Sequence, residues 1–331
     1  MYTKRNYSFW MTFKWSKKPF IYGFIYATFI TILYLLSYEY LNIDITLPWQ
    51  PISVLGIAVS FYLGFKNNSS YDRTWEARII WGSIVNNSRT FASALNTFIQ
   101  GPSAESITKV FIYRHIAWLT ALRFQLRLIR DWEHKEDRIK GMYVDEIGDS
   151  YFEKLESEIL NYISENEYKS YKNKKNIAAQ ILNTQNLELQ RLKNENYFED
   201  FRHMELYLLI KSFYDDQGKS ERIKNFPFPR QYASVALWQT LIFCILIPFG
   251  MLSTFSESFG KVLLAIPFSA LVIWIFFLME RIGDYSENPF EGTFNDVPIT
   301  TIARSIEIDM LEIINDENIP PPILTENGFQ L

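Results

Sequence analysis

A chain of 331 residues, 48% of them hydrophobic and 17% aromatic, has length enough for two domains and apolar mass enough for a membrane. Its net charge of −4 offers no basic footprint for nucleic acid, and a single cysteine, Cys244, excludes an intrachain disulfide. Mean hydropathy is −0.07, but the average hides segregation: apolar runs stand toward both ends and a polar stretch lies between them.

Residues 1–19 hold Lys4, Arg5, Lys14, Lys17 and Lys18 and no acid, with no small-residue cleavage site of a signal peptide. By the positive-inside rule this segment stays in the cytoplasm. Phe20–Tyr38 carries no charge over 19 residues and reads as a first membrane span. The loop Glu39–Gln50 has acids and no base, as an outer loop allows.

Pro51 opens the next helix at a position where a missing N–H costs nothing, and no proline follows from Ile52 to Gly101. Its first part, Ile52–Phe65, is uncharged and reads as a second span returning inward; from Lys66 on the helix is charged and aromatic. Two stripes mark the membrane part. Ile57, Phe61 and Phe65 recur every fourth residue and stack on one face; Gly56, Ser60 and Gly64 recur beside them at the spacing that lets helices approach closely. Such a helix fits a ring of identical helices, small side on the neighbour and apolar ridge toward the axis. It equally fits an ordinary packed membrane helix.

The middle of the chain has no proline between Ser103 and Asn225 and no alternating β-branched run, so it reads as long helices. Ile107–Arg130 is apolar around most of its circumference and predicts a helix buried on several sides. Asp131–Ser150 is a charged connection, Tyr151–Ile163 a helix, Asn166–Asn176 a lysine-rich loop, and Ile177–Asp216 one or two further helices stopped at Gly218. Pro227 and Pro229 mark the return to the membrane. Tyr232–Phe255 and Val262–Met279 are the third and fourth spans, kinked at Pro248 and Pro267 and joined by the outer loop Phe255–Lys261. A last helix starts at Asp296 and Pro298 and carries the stripe Ile302, Ile306, Met310 and Ile313; from Pro320 a tail follows.

The resulting organisation is all-α. It comprises a cytoplasmic segment 1–19, spans over 20–68, a helical cytoplasmic domain 69–230, spans over 231–280, and a cytoplasmic helix and tail over 281–331. Both termini lie in the cytoplasm.

The stretch LGFKNNSSYDRTWEARIIWG resembles the second helix of the bestrophin family, its bacterial branch in particular, where a Gly-Phe pair precedes a Trp-Glu-Ala-Arg-x-x-Trp-Gly run. ERIKNFPFPRQYA and ENPFEGTFNDVPITTIARSIEIDMLEII resemble that family's approach to its third span and its Asn-Pro-Phe element. The likeness runs from about Phe20 to Ile314. It implies a homopentameric ion channel in the cell membrane: a central pore for small inorganic ions, a hydrophobic neck lined by Ile57, Phe61 and Phe65, and a helical vestibule. It also implies a second constriction near Phe201, which could equally be a core residue of its helix. Animal members conduct chloride and other anions; monovalent cations are the alternative for the bacterial branch. In animal members an acidic run after Asn-Pro-Phe binds calcium; here only Asp296 keeps an acid at a matching place, too few ligands for a tight cage. No metal or cofactor is expected, and Asp296 reads as an N-cap.

Arg73 and Glu76 can pair on the helix surface, whereas Asp72 and Glu76 repel. This predicts a partner elsewhere, such as Arg78 or Arg89 of a neighbouring subunit, and a place for Arg73, Trp75 and Glu76 at a subunit contact, with Trp75 and Trp81 in the core. The three histidines have no metal spacing: His115 reads as a core histidine and His134 as part of a solvated turn. No phosphate loop, nucleophile elbow or zinc-protease motif is present, so an enzyme is not expected. A membrane-anchored signalling or scaffold protein, and a membrane enzyme whose active site is not legible in the sequence, are the rival classes.

Overall fold

The computed structural model describes residues 1–135, 147–256 and 258–330. Among these the regular structure is helical, with isolated bridges of Phe329 to Tyr2 and to Glu326. The all-α expectation holds. Residues 136–146 of the expected charged connection, and Glu257 of the expected outer loop, lie outside the described residues. The chain divides into two compact units.

One unit comprises Lys4–Asp72 and Phe228–Glu287. Helix α1 (Phe9–Leu36) begins well before the expected Phe20, because the Ser8 side chain accepts a hydrogen bond from the Met11 amide and caps it. Pro19 sits inside this helix and cannot donate to the Trp15 carbonyl; the Arg281 guanidinium donates to that oxygen instead, at 2.8 Å. The helix widens into a π turn at Ser37–Leu41 and stops at Asn42, which adopts φ 57°. Helix α2 (Trp49–Phe98) contributes its first half here. Helix α8 (Arg230–Phe255) contains Pro248, and the Tyr26 hydroxyl donates to the Ile245 carbonyl one turn earlier. Helix α9 (Ala265–Ser286) places Pro267 in its first turn, where no intrahelical N–H is needed, so Pro267 makes a start and not the predicted kink. Ile52, Val59 and Leu63 of α2 pack with Phe243, Cys244 and Ile247 of α8 and Ile273 of α9.

Among the described residues three segments are long and apolar enough to cross a membrane by length and composition: Phe9–Leu41, Arg230–Phe255 and Gly260–Ser286. The expected second span is not among them. The uncharged run of α2, Ile52–Phe65, rises only about 21 Å at 1.5 Å per residue, short of a core of about 30 Å. Lys66, Asn67 and Asn68 end it.

The second unit comprises Met1–Thr3, Arg73–Pro227 and Asn288–Leu331. Helix α3 (Ala104–Arg127) is its centre and is buried nearly all round, as its composition predicts. Around it stand α4 (Asp149–Ile159), α5 (Glu165–Lys172), α6 (Ile177–Asn194), α7 (Asp200–Asn225), α10 (Ile299–Ile313) and the second half of α2. Helix α5 occupies the expected lysine-rich loop: Ser164 caps it, and Tyr168 and Tyr171, three apart, are buried. Gly218 does not stop α7, which runs on to Asn225; the stop falls just before Pro227. In the tail, Phe329 is buried and packs on Tyr2 and Phe294.

Candidate pore-lining site

Helix α2 buries one side of its first half and leaves the other bare. Ile52, Val59 and Leu63 are at most 5% exposed, whereas Ile57, Phe61 and Phe65 are 59%, 67% and 69% exposed. The ridge expected from the four-residue spacing therefore exists as one face, and none of the described residues covers it. Beside it runs an apolar groove of about 680 Å³ walled by Trp49, Ile57, Phe61, Phe65, Phe243 and Phe276. Apolar faces of this kind mark surfaces that another body covers.

The small-residue stripe divides. A Cβ built on Gly56 would stand 2.8 Å from the Phe243 ring, so Gly56 serves a close crossing of α2 and α8 within the chain and not a neighbour's helix as expected. The Ser60 hydroxyl donates to the Gly56 carbonyl at 2.8 Å and is spent locally. Only Gly64 has open space where its side chain would be.

Behind Phe65 the helix is fastened. Lys66 has a side-chain exposure of 1%, and its ammonium donates to the Glu280 carboxylate at 2.9 Å, with Asp284 at 3.9 Å. The Asn67 amide donates to the Met279 carbonyl, and a Cβ on Gly283 would fall 2.1 Å from the Asn67 oxygen, so glycine is required there. Successive helical residues are about 100° apart, so a lysine drawn inward at 66 turns its neighbour at 65 away from the core. Sequence reasoning took Lys66 as the start of a charged, aromatic stretch and missed this pair. The signal available was an acid, Glu280, ending an apolar run.

The remaining predicted residues lie in the second unit. The Arg73 guanidinium donates to the carbonyls of Ile223 and Phe226 at 3.1 and 2.8 Å, capping the C-terminus of α7. Glu76 pairs with Arg222 of the same chain, and Arg89 with Asp309, which replaces the predicted inter-subunit partners. Trp81 is fully buried as expected, but Trp75 is half exposed and is not core. Phe201, in the first turn of α7, is 86% exposed and stands with Met204 and Leu208 on a bare apolar side; it is not a core residue of its helix.

The Asn-Pro-Phe loop is organised by Asp296. Its carboxylate accepts from the amides of Phe290, Gly292 and Val297 at 2.6–2.7 Å and pairs with the fully buried Arg127. It is thus not an N-cap; Pro298 occupies that position of α10. The turn requires φ of 72° at Phe290 and 93° at Gly292. Glu291, at zero side-chain exposure, faces His134 Nδ1 at 3.1 Å, so His134 is tied to the loop and is not a solvated turn residue. Burial pushes the Glu291 carboxyl above the usual carboxylate range. His115 is fully buried, 2.9 Å from the Ser88 hydroxyl, and burial pushes it down to about 3, which makes it a neutral core residue as read.

Helices long and apolar enough to cross a membrane, a bare apolar ridge on a further helix and a loop closed on an aspartate are the features of an all-α membrane protein. Residues 18–312 match the family described as Bacterial/Fungal Bestrophin protein, and the chain belongs to it. It is 27% identical over 295 residues to the voltage-dependent anion channel-forming protein YneE of Salmonella typhimurium, covering 89% of this chain and 85% of that one. It is 26% identical over 305 residues to YneE of Escherichia coli K12, covering 91% and 88%. Its fold matches the crystal structure of a bacterial bestrophin homolog from Klebsiella pneumoniae with a TM-score of 0.75 at 21% identity, over 91% of this chain and 98% of that one.

Proposed function

We propose that the chain is one subunit of a homopentameric anion channel of the cell membrane, with a hydrophobic neck formed by Ile57, Phe61 and Phe65. The observation that carries this reading is the ridge itself: three large apolar side chains, 59–69% exposed, on the helix whose other side packs through Ile52, Val59 and Leu63. In a ring of five copies they meet at an axis, where an apolar constriction holds ions back by dewetting. Relatives named as anion channel-forming supply the ion class. Phe201 makes a second narrowing, and Gly64 is the member of the small-residue stripe left to approach a neighbouring copy. Arg73 and Glu76 act inside the subunit, holding the end of α7.

One preparation tests this. Mass measurement in mild detergent should give five copies, and the same protein in liposomes under a potassium chloride gradient should reverse near the chloride equilibrium potential. A reversal near that of potassium makes it a cation channel. A monomer, or no flux, removes the pore and leaves the scaffold reading.

The same reading sets the topology. The uncharged half of α2 crosses with the three apolar segments, its bare face turned to the pore and not to lipid. The basic residues of the first segment hold that end in the cytoplasm. With Cys244 replaced by alanine, a cysteine at Asn173 should label only from inside and one at Ser258 only from outside. Outside labelling at Asn173 reverses the scheme.

A further inference from the structure

A second cavity, of about 220 Å³, lies within the unit built around α3. That is space for about seven waters at ~30 Å³ each, the size of a small metabolite. Its apolar side is Ile116, Leu119 and Ala303, all buried. Each of its polar sides carries an ion pair, Arg304 with Glu307 on one and Glu158 with Arg123 on the other.

On one side are Thr300 and Arg304, in the first turns of α10. No side chain caps that helix, because its N-cap is Pro298, so its amide end is left positive toward the cavity wall. Glu307 holds Arg304 through Nε at 3.0 Å; the two terminal guanidinium nitrogens make no hydrogen bond among the described residues. They form the fork that takes a carboxylate in two parallel bonds. Glu307 itself is already engaged by Arg304 and by the Tyr162 hydroxyl.

On the other side are Glu158, near the C-terminal end of α4, and Asn161, in the turn that follows it. One Glu158 oxygen is taken by Arg123; the other has no partner among the described residues, and the side chain is 37% exposed. A lone anion entering the cavity meets Glu158 and Glu307, and a lone cation meets Arg123 and Arg304. A molecule bearing both charges satisfies both ends.

We infer that this cavity is a binding site for a small zwitterion, an α-amino acid with a short aliphatic side chain. Its carboxylate lies on the Arg304 fork beside the Thr300 end of α10, its ammonium on Glu158, and its side chain over Ile116 and Leu119. The site does not depend on which ion the pore passes.

Calorimetric titration of the full-length protein in detergent, with L-alanine, acetate and methylammonium as probes, tests the assignment. L-Alanine should bind saturably at one site per chain, and acetate and methylammonium at least tenfold more weakly. Arg304→Gln should weaken L-alanine at least tenfold. Glu158→Gln keeps an acceptor for Arg123 and hence the local fold; it should weaken L-alanine similarly while improving acetate relative to it. If Arg304→Gln fails to fold, Glu158→Gln decides alone. No saturable binding of L-alanine by the folded parent, or binding unchanged in Glu158→Gln, overturns the proposal.

Discussion

Phe61→Ala should raise ion flux several-fold and leave the melting temperature almost unchanged. The side chain is 67% exposed in the chain, so its removal empties no intrachain core. A surface change of this kind is worth about 0.5 kcal/mol at most, and the melting temperature should move by less than about 2 °C. A buried phenylalanine truncated in the same way costs about 3–5 kcal/mol. In a ring of five, each lost phenyl widens the neck and lets water remain, so a partly dehydrated ion no longer faces an apolar wall. Flux through reconstituted protein, recorded beside a melting curve, separates these outcomes. Unchanged flux with a large loss of stability means that Phe61 packs in a core created by assembly and that the pore lies elsewhere.

Asp296→Ala should be the most damaging single change in the second unit. The carboxylate satisfies three backbone amides and faces an arginine at zero exposure. Its loss breaks a buried ion pair with the Arg127 guanidinium, a defect of about 3–5 kcal/mol, and takes the acceptor from three amides in a turn already held at positive φ. The melting temperature should fall by roughly 10 °C, at a few degrees per kcal/mol. Asp296→Asn keeps the shape and part of the hydrogen bonding and should fall less. Equal melting of parent and Asp296→Ala shows that the loop stands without its aspartate.

Periodicity was enough to find the ridge, the buried α3 and the two spans Tyr232–Phe255 and Val262–Met279, because these depend on residues near one another in the chain. The motif LGFKNNSSYDRTWEARIIWG was enough to find the family. What stayed hidden depends on distant partners. Lys66 and Glu280 are 214 positions apart, and Arg127 and Asp296 are 169 apart. A charge next to an apolar run looks solvated until its partner is seen. Gly56 and Gly64 look alike in sequence; only the Phe243 ring beside one of them tells them apart. Helix α5 was obscured by its lysines, although Ser164, Tyr168 and Tyr171 carried the cap and the buried stripe.

The Lys66–Glu280 pair constrains how a neck built on α2 can widen. Spinning α2 about its own axis, which would swing Phe65 and Phe61 aside, first separates an ammonium and a carboxylate that have little water to receive them. The Asn67 amide must leave the Met279 carbonyl in the same stroke. Tilting or sliding α2 and α9 as one stiff body breaks neither bond. The ion pair is in effect a key in a keyway: it resists torque on the helix and yields to displacement of the pair.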